Sequence, residues 1–135
     1  MSNTDTKIKH LEFIQATINR MAGNSFLLKG WAVTLVGALL ALSFKEMNWL
    51  YVLISLVVLT LFWALDSYYL EQERSFIKLY EHVIKNHGDT DFSMDTKPHR
   101  KEVKWHRCAF SHTVILFYGG MLLVHIVVLI IILNT

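Results

Sequence analysis

The chain has 135 residues, 53% hydrophobic and 18% charged, with a formal net charge of +2. Soluble domains run at about 45–50% and about 25%, and this length leaves room for one domain rather than two. The single cysteine, Cys108, excludes an internal disulfide.

Clustering of the apolar residues decides the class. Met47–Leu65 and His112–Thr135 carry no Lys, Arg, Asp or Glu, and Phe26–Phe44 carries only Lys29, near its start. An apolar run of about 18 residues or more crosses a bilayer core of about 30 Å as a helix. Three such runs predict an all-α protein: three transmembrane helices continuous with a small cytoplasmic helical bundle, residues 1–135 forming one membrane domain. Phe26–Phe44 is longer than a signal-peptide core and follows a polar stretch containing Asp5 and Glu12, so it is expected to be a retained span.

In chain order, residues 5–22 read as an amphipathic helix, with Ile8, Leu11, Ile14, Ile18 and Met21 on one face. Gly23-Asn24 is a stop-and-turn signal, and Ser25 is placed to cap span 1, residues 26–44. Within that span Gly37 with Ala41, and Thr34 with Ala38, form small-xxx-small pairs that let helices approach closely in lipid. Lys45–Asn48 forms a tight turn, with Trp49 and Tyr51 at the interface beyond it.

Span 2 is expected to continue past the bilayer as one helix over residues 48–87. Tyr69, Leu70, Phe76, Ile77, Tyr80, Val83 and Ile84 keep helical spacing among charges, and no Gly or Pro intervenes before Gly88. Such a helix is about 60 Å long at about 1.5 Å per residue. The acidic stretch holding Asp89, Asp91 and Asp95 is a loop. Asp95-Thr96, with Pro98 in the first turn, starts a third helix over residues 98–133, a basic cytoplasmic segment running into span 3.

The basic residues orient the chain. All but one of the 13 Lys and Arg residues lie either before and at the start of span 1 or between spans 2 and 3. The exception, Lys45, shares its turn with Glu46. By the positive-inside rule the amino terminus is cytoplasmic and the carboxyl terminus is outside.

Two polar features inside or beside the spans constrain the packing. The hairpin around residues 45–48 places Lys29 opposite Asp66, a membrane-edge ion pair, because an unpaired charge at that depth is costly. Asp66 and Glu73 share a helix face, and Arg20, or Lys29 itself, is expected to meet Glu73 in a cytoplasmic polar seam. His125, deep in span 3, falls at the depth of Ser55 and Ser43, an intramembrane polar layer. It either bonds a serine or lines a pathway.

Catalytic and metal chemistry find no footing. Cys108 and His112 stand one helical turn apart, but no second pair completes a metal site, and His99 and His106 share a basic face. Asp89, Asp91 and Asp95 lack the glycine and the terminal glutamate of a calcium loop. No G-x-S-x-G, H-E-x-x-H or G-x-x-x-x-G-K-[ST] pattern occurs. The chain is therefore expected to be no enzyme and to hold no cofactor. Arg100, Lys101, Lys104 and Arg107 are expected to contact lipid headgroups or a protein partner, rather than a nucleic acid or nucleotide.

The stretch from His10 to Trp31, HLEFIQATINRMAGNSFLLKGW, and the stretch from Phe62 to Arg74, FWALDSYYLEQER, followed by Leu79-Tyr80, resemble a group of small bacterial membrane proteins from mobile-element and antiphage-defence neighbourhoods. The resemblance covers the first two thirds of the chain. It implies a bacterial inner-membrane location and a defence effector, and carries over no active-site residue. The expected function is an oligomeric inner-membrane effector that alters membrane permeability when a cytoplasmic signal or partner engages it. The alternative is a non-conducting anchor or adaptor that recruits or restrains a cytoplasmic partner. The small-residue faces make a homo-oligomer the expected assembly.

Overall fold

The computed structural model describes residues 3–85 and 92–135, apart from the side chains of Asn3, Arg100, Lys101 and Glu102. It is helical, with no strand among the described residues. Helix α1 spans Asn3–Glu46, α2 spans Leu50–Lys85, a 3₁₀ turn covers Lys97–Glu102, α3 is Trp105–Ala109 and α4 is His112–Leu133. Three of these, α1, α2 and α4, are long and apolar enough to cross a membrane.

Helix α1 corrects the expectation of two helices meeting at Gly23-Asn24: its 44 residues are continuous. Gly23 does not enter the left-handed conformation that ends a helix. A glycine inside a helix costs about 1 kcal/mol, and packing on both sides of it outweighs that cost. On one side Ile14 and Ile18 bury against Leu79 and Val83 of α2, and on the other Val36 and Leu40 bury against Val52 and Leu59. Ser25 consequently caps nothing and lies mid-helix.

The turn joining α1 to α2 is where the sequence places it. Met47 takes φ 48°, and the Asn48 amide donates to the Ser43 carbonyl at 3.2 Å, a Schellman closure. The Asn48 side-chain carbonyl then accepts from the Leu50 amide at 3.0 Å and starts α2. With no Gly or Pro inside it, α2 runs unbroken for 36 residues, about 54 Å at about 1.5 Å per residue.

Beyond α2, the expected loop residues Asp89 and Asp91, and the last expected helical residues 86 and 87, lie outside the described residues. The expected single helix over residues 98–133 is corrected to three pieces. Asp95 Oδ1 accepts from the Lys97 amide at 3.0 Å, so the start is as expected, but the turn it starts is 3₁₀ and closes at Glu102. A second break falls at Phe110-Ser111, where Ser111 is extended (φ −68°, ψ 159°) and its buried hydroxyl has no hydrogen-bond partner. Tertiary contacts compensate for this break. Trp63 Nε1 donates to the Ala109 carbonyl at 3.0 Å, and its ring meets Trp105 and Phe110 edge-on at 5.4 and 6.0 Å.

Helix α4 runs antiparallel to α2, and its Val114, Tyr118, Val128 and Ile132 complete the core that α1 and α2 begin. At the opposite end from the α1–α2 turn, the halves of α1 and α2 rich in charge form a second, smaller core. Lys7 Nζ donates to the Ile84 carbonyl at 2.9 Å, where a cation complements the end of α2. His10, buried, donates Nε2–H to the Ser93 carbonyl at 2.8 Å and packs on the Phe92 ring, tying residues 92–96 to α1.

Candidate functional site

Two polar clusters sit among the apolar helices. The first forms where the apolar part of α2 ends. The Asp66 carboxylate is wholly buried, and Lys29 Nζ meets its Oδ2 at 2.6 Å. Ser25 supplies what a lone ion pair lacks: its hydroxyl donates to the other carboxylate oxygen and accepts from Lys29 Nζ at 2.9 Å. A triad closes in which every carboxylate oxygen is engaged and two of the ammonium's three donors are used. Ser25 and Lys29 stand four residues apart on α1, so they present side by side to α2. The Lys29 ammonium also lies 5.9 Å from the Phe117 ring centre. Tyr118 donates its hydroxyl to the Phe62 carbonyl at 3.3 Å and lies beside Asp66.

Glu73, two turns further along α2, joins no ion pair or hydrogen bond among the described residues. Burial pushes its carboxyl above the ordinary carboxylate range, while the positive charges of Arg74 and Lys29 pull it back and Asp66 adds to the rise. The expected Arg20–Glu73 seam is corrected. Arg20 is exposed on α1, off the face that packs against α2, and Lys29 is the α1 cation that Glu73 senses. With α1 continuous through Gly23, Arg20 keeps the helical register of Ile14 and Ile18 and does not share their buried face.

The second cluster centres on His125, which is buried. Its Nδ1–H donates to the Met121 carbonyl at 2.7 Å, and its Nε2 takes the Ser55 hydroxyl at 2.6 Å. These partners satisfy both ring nitrogens inside one chain. Ser43, the third member of the expected polar layer, is buried but bonds the Leu40 carbonyl of its own helix at 2.6 Å. A serine inside a helix has a carbonyl of the preceding turn within reach, and that local bond wins over a longer one to His125.

The basic segment divides. Lys104 and Arg107 are exposed beside Trp105, while the side chains of Arg100 and Lys101 lie outside the described residues. Arg74 reaches from α2 to Cys108, Nη1 to Sγ 3.8 Å. Burial pushes the Cys108 thiol up, against the pull of Arg74 and with help from Glu71. This environment describes a packed thiol rather than a reactive one. Among the described residues no three His, Cys, Asp or Glu side chains converge as metal ligands.

Sequence reasoning missed Ser25 as the third member of the buried triad, though its four-residue spacing from Lys29 was a usable signal. It also missed Trp63 and His10, whose partners are distant backbone carbonyls that no sequence spacing announces.

Outside these clusters the apolar helices present few polar groups. The exposed hydroxyls midway along them are Thr34 and Thr60, and each donates to a carbonyl of its own helix, Gly30 at 3.0 Å and Leu56 at 2.8 Å. At the charged end, by contrast, apolar side chains are exposed, among them Ile8, Phe13, Ile77, Ile84 and Met94. Phe13 is 55% exposed and leans on Phe92 at 5.9 Å.

Comparison with known proteins finds no family, no curated protein and no solved structure that matches this chain.

Proposed function

We propose that this chain is a non-conducting anchor of the bacterial inner membrane, which holds a rigid helical platform on the cytoplasmic side for a protein partner. One observation carries the reading. The charged and titratable groups at depth, Lys29 with Asp66 and His125 with Ser55, are paired within the protomer. The outward hydroxyls, Thr34 and Thr60, donate their protons to their own helices. Among the described residues this leaves few polar groups along the apolar helices to turn toward a shared axis, where a conducting path needs a polar lining. The competing reading, an oligomeric effector that alters permeability, requires His125 to leave Ser55 and face that axis.

The platform reading draws support from the polar end of the molecule. There α1 and α2 continue past their apolar stretches as one packed unit, and Lys7 and His10 add ties across it. Exposed apolar side chains such as Phe13 and Met94, away from the apolar stretches, suit a protein contact better than water. Exposed Lys104, Trp105 and Arg107 flank the entry to α4 as an anionic-headgroup contact does. The resemblance of the first two thirds to defence-associated membrane proteins adds the expectation that the partner acts against phage.

Reporter fusions test the orientation on which the platform depends. A reporter active only in the cytoplasm is expected to work before the amino terminus and to be silent after Thr135. A silent amino-terminal fusion, with the chain still in the membrane, defeats the proposal.

A further inference from the structure

Between α1, α2 and the start of α4 lies a cleft of about 320 Å³, lined by Ala22, Ser25, Phe26, Lys29, Leu70, Glu73, Thr113 and Val114. Its size falls at the lower end of the range of small-ligand sites, about 300–1,000 Å³. Phe26 at its rim is 75% exposed. Lys29 is matched by Asp66, and Glu73 makes no ion pair or hydrogen bond among the described residues, although the charges of Arg74 and Lys29 reach it. Lys29 keeps one donor in reserve, since Asp66 and Ser25 take two of three. The cleft therefore offers an acceptor seeking a cationic donor, a spare ammonium donor, and the Thr113 hydroxyl.

Depth narrows the ligand. The cleft sits where the apolar stretches of α1 and α2 end and α4 begins, the level of phospholipid headgroups if these helices cross a membrane. We propose that it binds the headgroup of a zwitterionic phospholipid bearing a primary ammonium, with Glu73 accepting from the ammonium and Lys29 and Thr113 donating to the phosphate. A primary ammonium donates hydrogen bonds to a carboxylate. A quaternary one cannot, and a glycerol headgroup brings no cation. Phosphatidylethanolamine is thus favoured over phosphatidylcholine and phosphatidylglycerol. Phe26 lies beside the entrance, where an acyl chain would leave the cleft.

This inference rests on the membrane reading, and the experiment separates the two. Full-length chain, extracted in detergent and stripped of lipid, is titrated with phosphatidylethanolamine, phosphatidylcholine or phosphatidylglycerol of identical acyl chains. Bound lipids are counted by native mass spectrometry. The chain is expected to retain the ethanolamine lipid about tenfold better than the choline lipid, the worth of one charge-assisted hydrogen bond. Glu73→Gln is expected to erase that preference without lowering phosphatidylglycerol retention, since the variant removes a negative charge beside the phosphate. Ala22→Phe fills the cleft without altering its charges and is expected to erase it too, so it decides the matter if Glu73→Gln does not fold. Equal retention of the ethanolamine and choline lipids by the unaltered chain overturns the inference, as does undiminished preference in Ala22→Phe. Release of the chain from membranes by alkaline carbonate without detergent defeats the membrane reading itself.

Discussion

Replacing Lys29 by methionine keeps the length of the side chain and removes its charge, leaving Asp66 wholly buried with only neutral donors such as Ser25. Removing one partner of a buried pair costs about 3–5 kcal/mol. Because Ser25 still serves one carboxylate oxygen, the lower end, about 3 kcal/mol, applies here. Asp66→Asn strands the other partner, but the Lys29 side chain is 25% exposed and can turn its head outward, so about 1–2 kcal/mol is expected. The double variant strands nothing, and its loss is expected to be about 1 kcal/mol. The coupling energy is then about 3–4 kcal/mol, far outside the additivity of independent sites. Unfolding by titration with a denaturing detergent, followed by tryptophan fluorescence, measures all four corners, since Trp63 lies one turn from Asp66. A double variant as unstable as the sum of the two single ones would refute the reasoning.

Two further outcomes follow from the geometry. Met47 holds φ 48° in the α1–α2 turn, so Met47→Gly is expected to raise stability by up to about 1 kcal/mol in the same unfolding titration, and a loss would mean that the Met47 side chain anchors the turn. Glu73 has its folded-state carboxyl raised by burial, so the folded chain binds this proton more tightly than the unfolded one. Its effect is therefore favourable at low pH and is lost as pH rises from the ordinary glutamate range through the raised value. In detergent free of amine lipids, stability should fall across that window, and Glu73→Gln should remove this part of the slope; an unchanged slope would contradict the burial of Glu73.

Much of the hairpin was legible because its turn was. Once Lys45–Asn48 is placed, antiparallel helices fix which residues face each other, and Lys29 meets Asp66 by register alone. The length of α2 was legible for a similar reason, as no Gly or Pro interrupts its apolar spacing. His125 with Ser55 followed from depth, whereas Ser43 did not, because a serine inside a helix has a carbonyl of the preceding turn that depth matching ignores. Gly23-Asn24 misled because a stop signal is only about 1 kcal/mol of preference, and the paired apolar faces of α1 and α2 extend on both sides of it. The break at Phe110-Ser111 carries no Gly or Pro. It exists because Trp63, forty-six positions earlier, takes the Ala109 carbonyl that the break frees, and a contact of that range leaves no local mark. Arg20 was misassigned for want of the helical phase that an unbroken α1 imposes.

Ion flux tests the proposed function most directly. The full-length chain is reconstituted into liposomes loaded with an ion-sensitive dye, with and without cytoplasmic extract, and compared with His125→Leu. Because His125 is sealed against Ser55 and the Met121 carbonyl inside one protomer, no flux above that of empty liposomes is expected from either form at any pH between about 5 and 8, the range in which an unperturbed histidine titrates. Flux that appears with the unaltered chain, rises or falls through that range and vanishes in His125→Leu would place His125 in a pore and contradict the account.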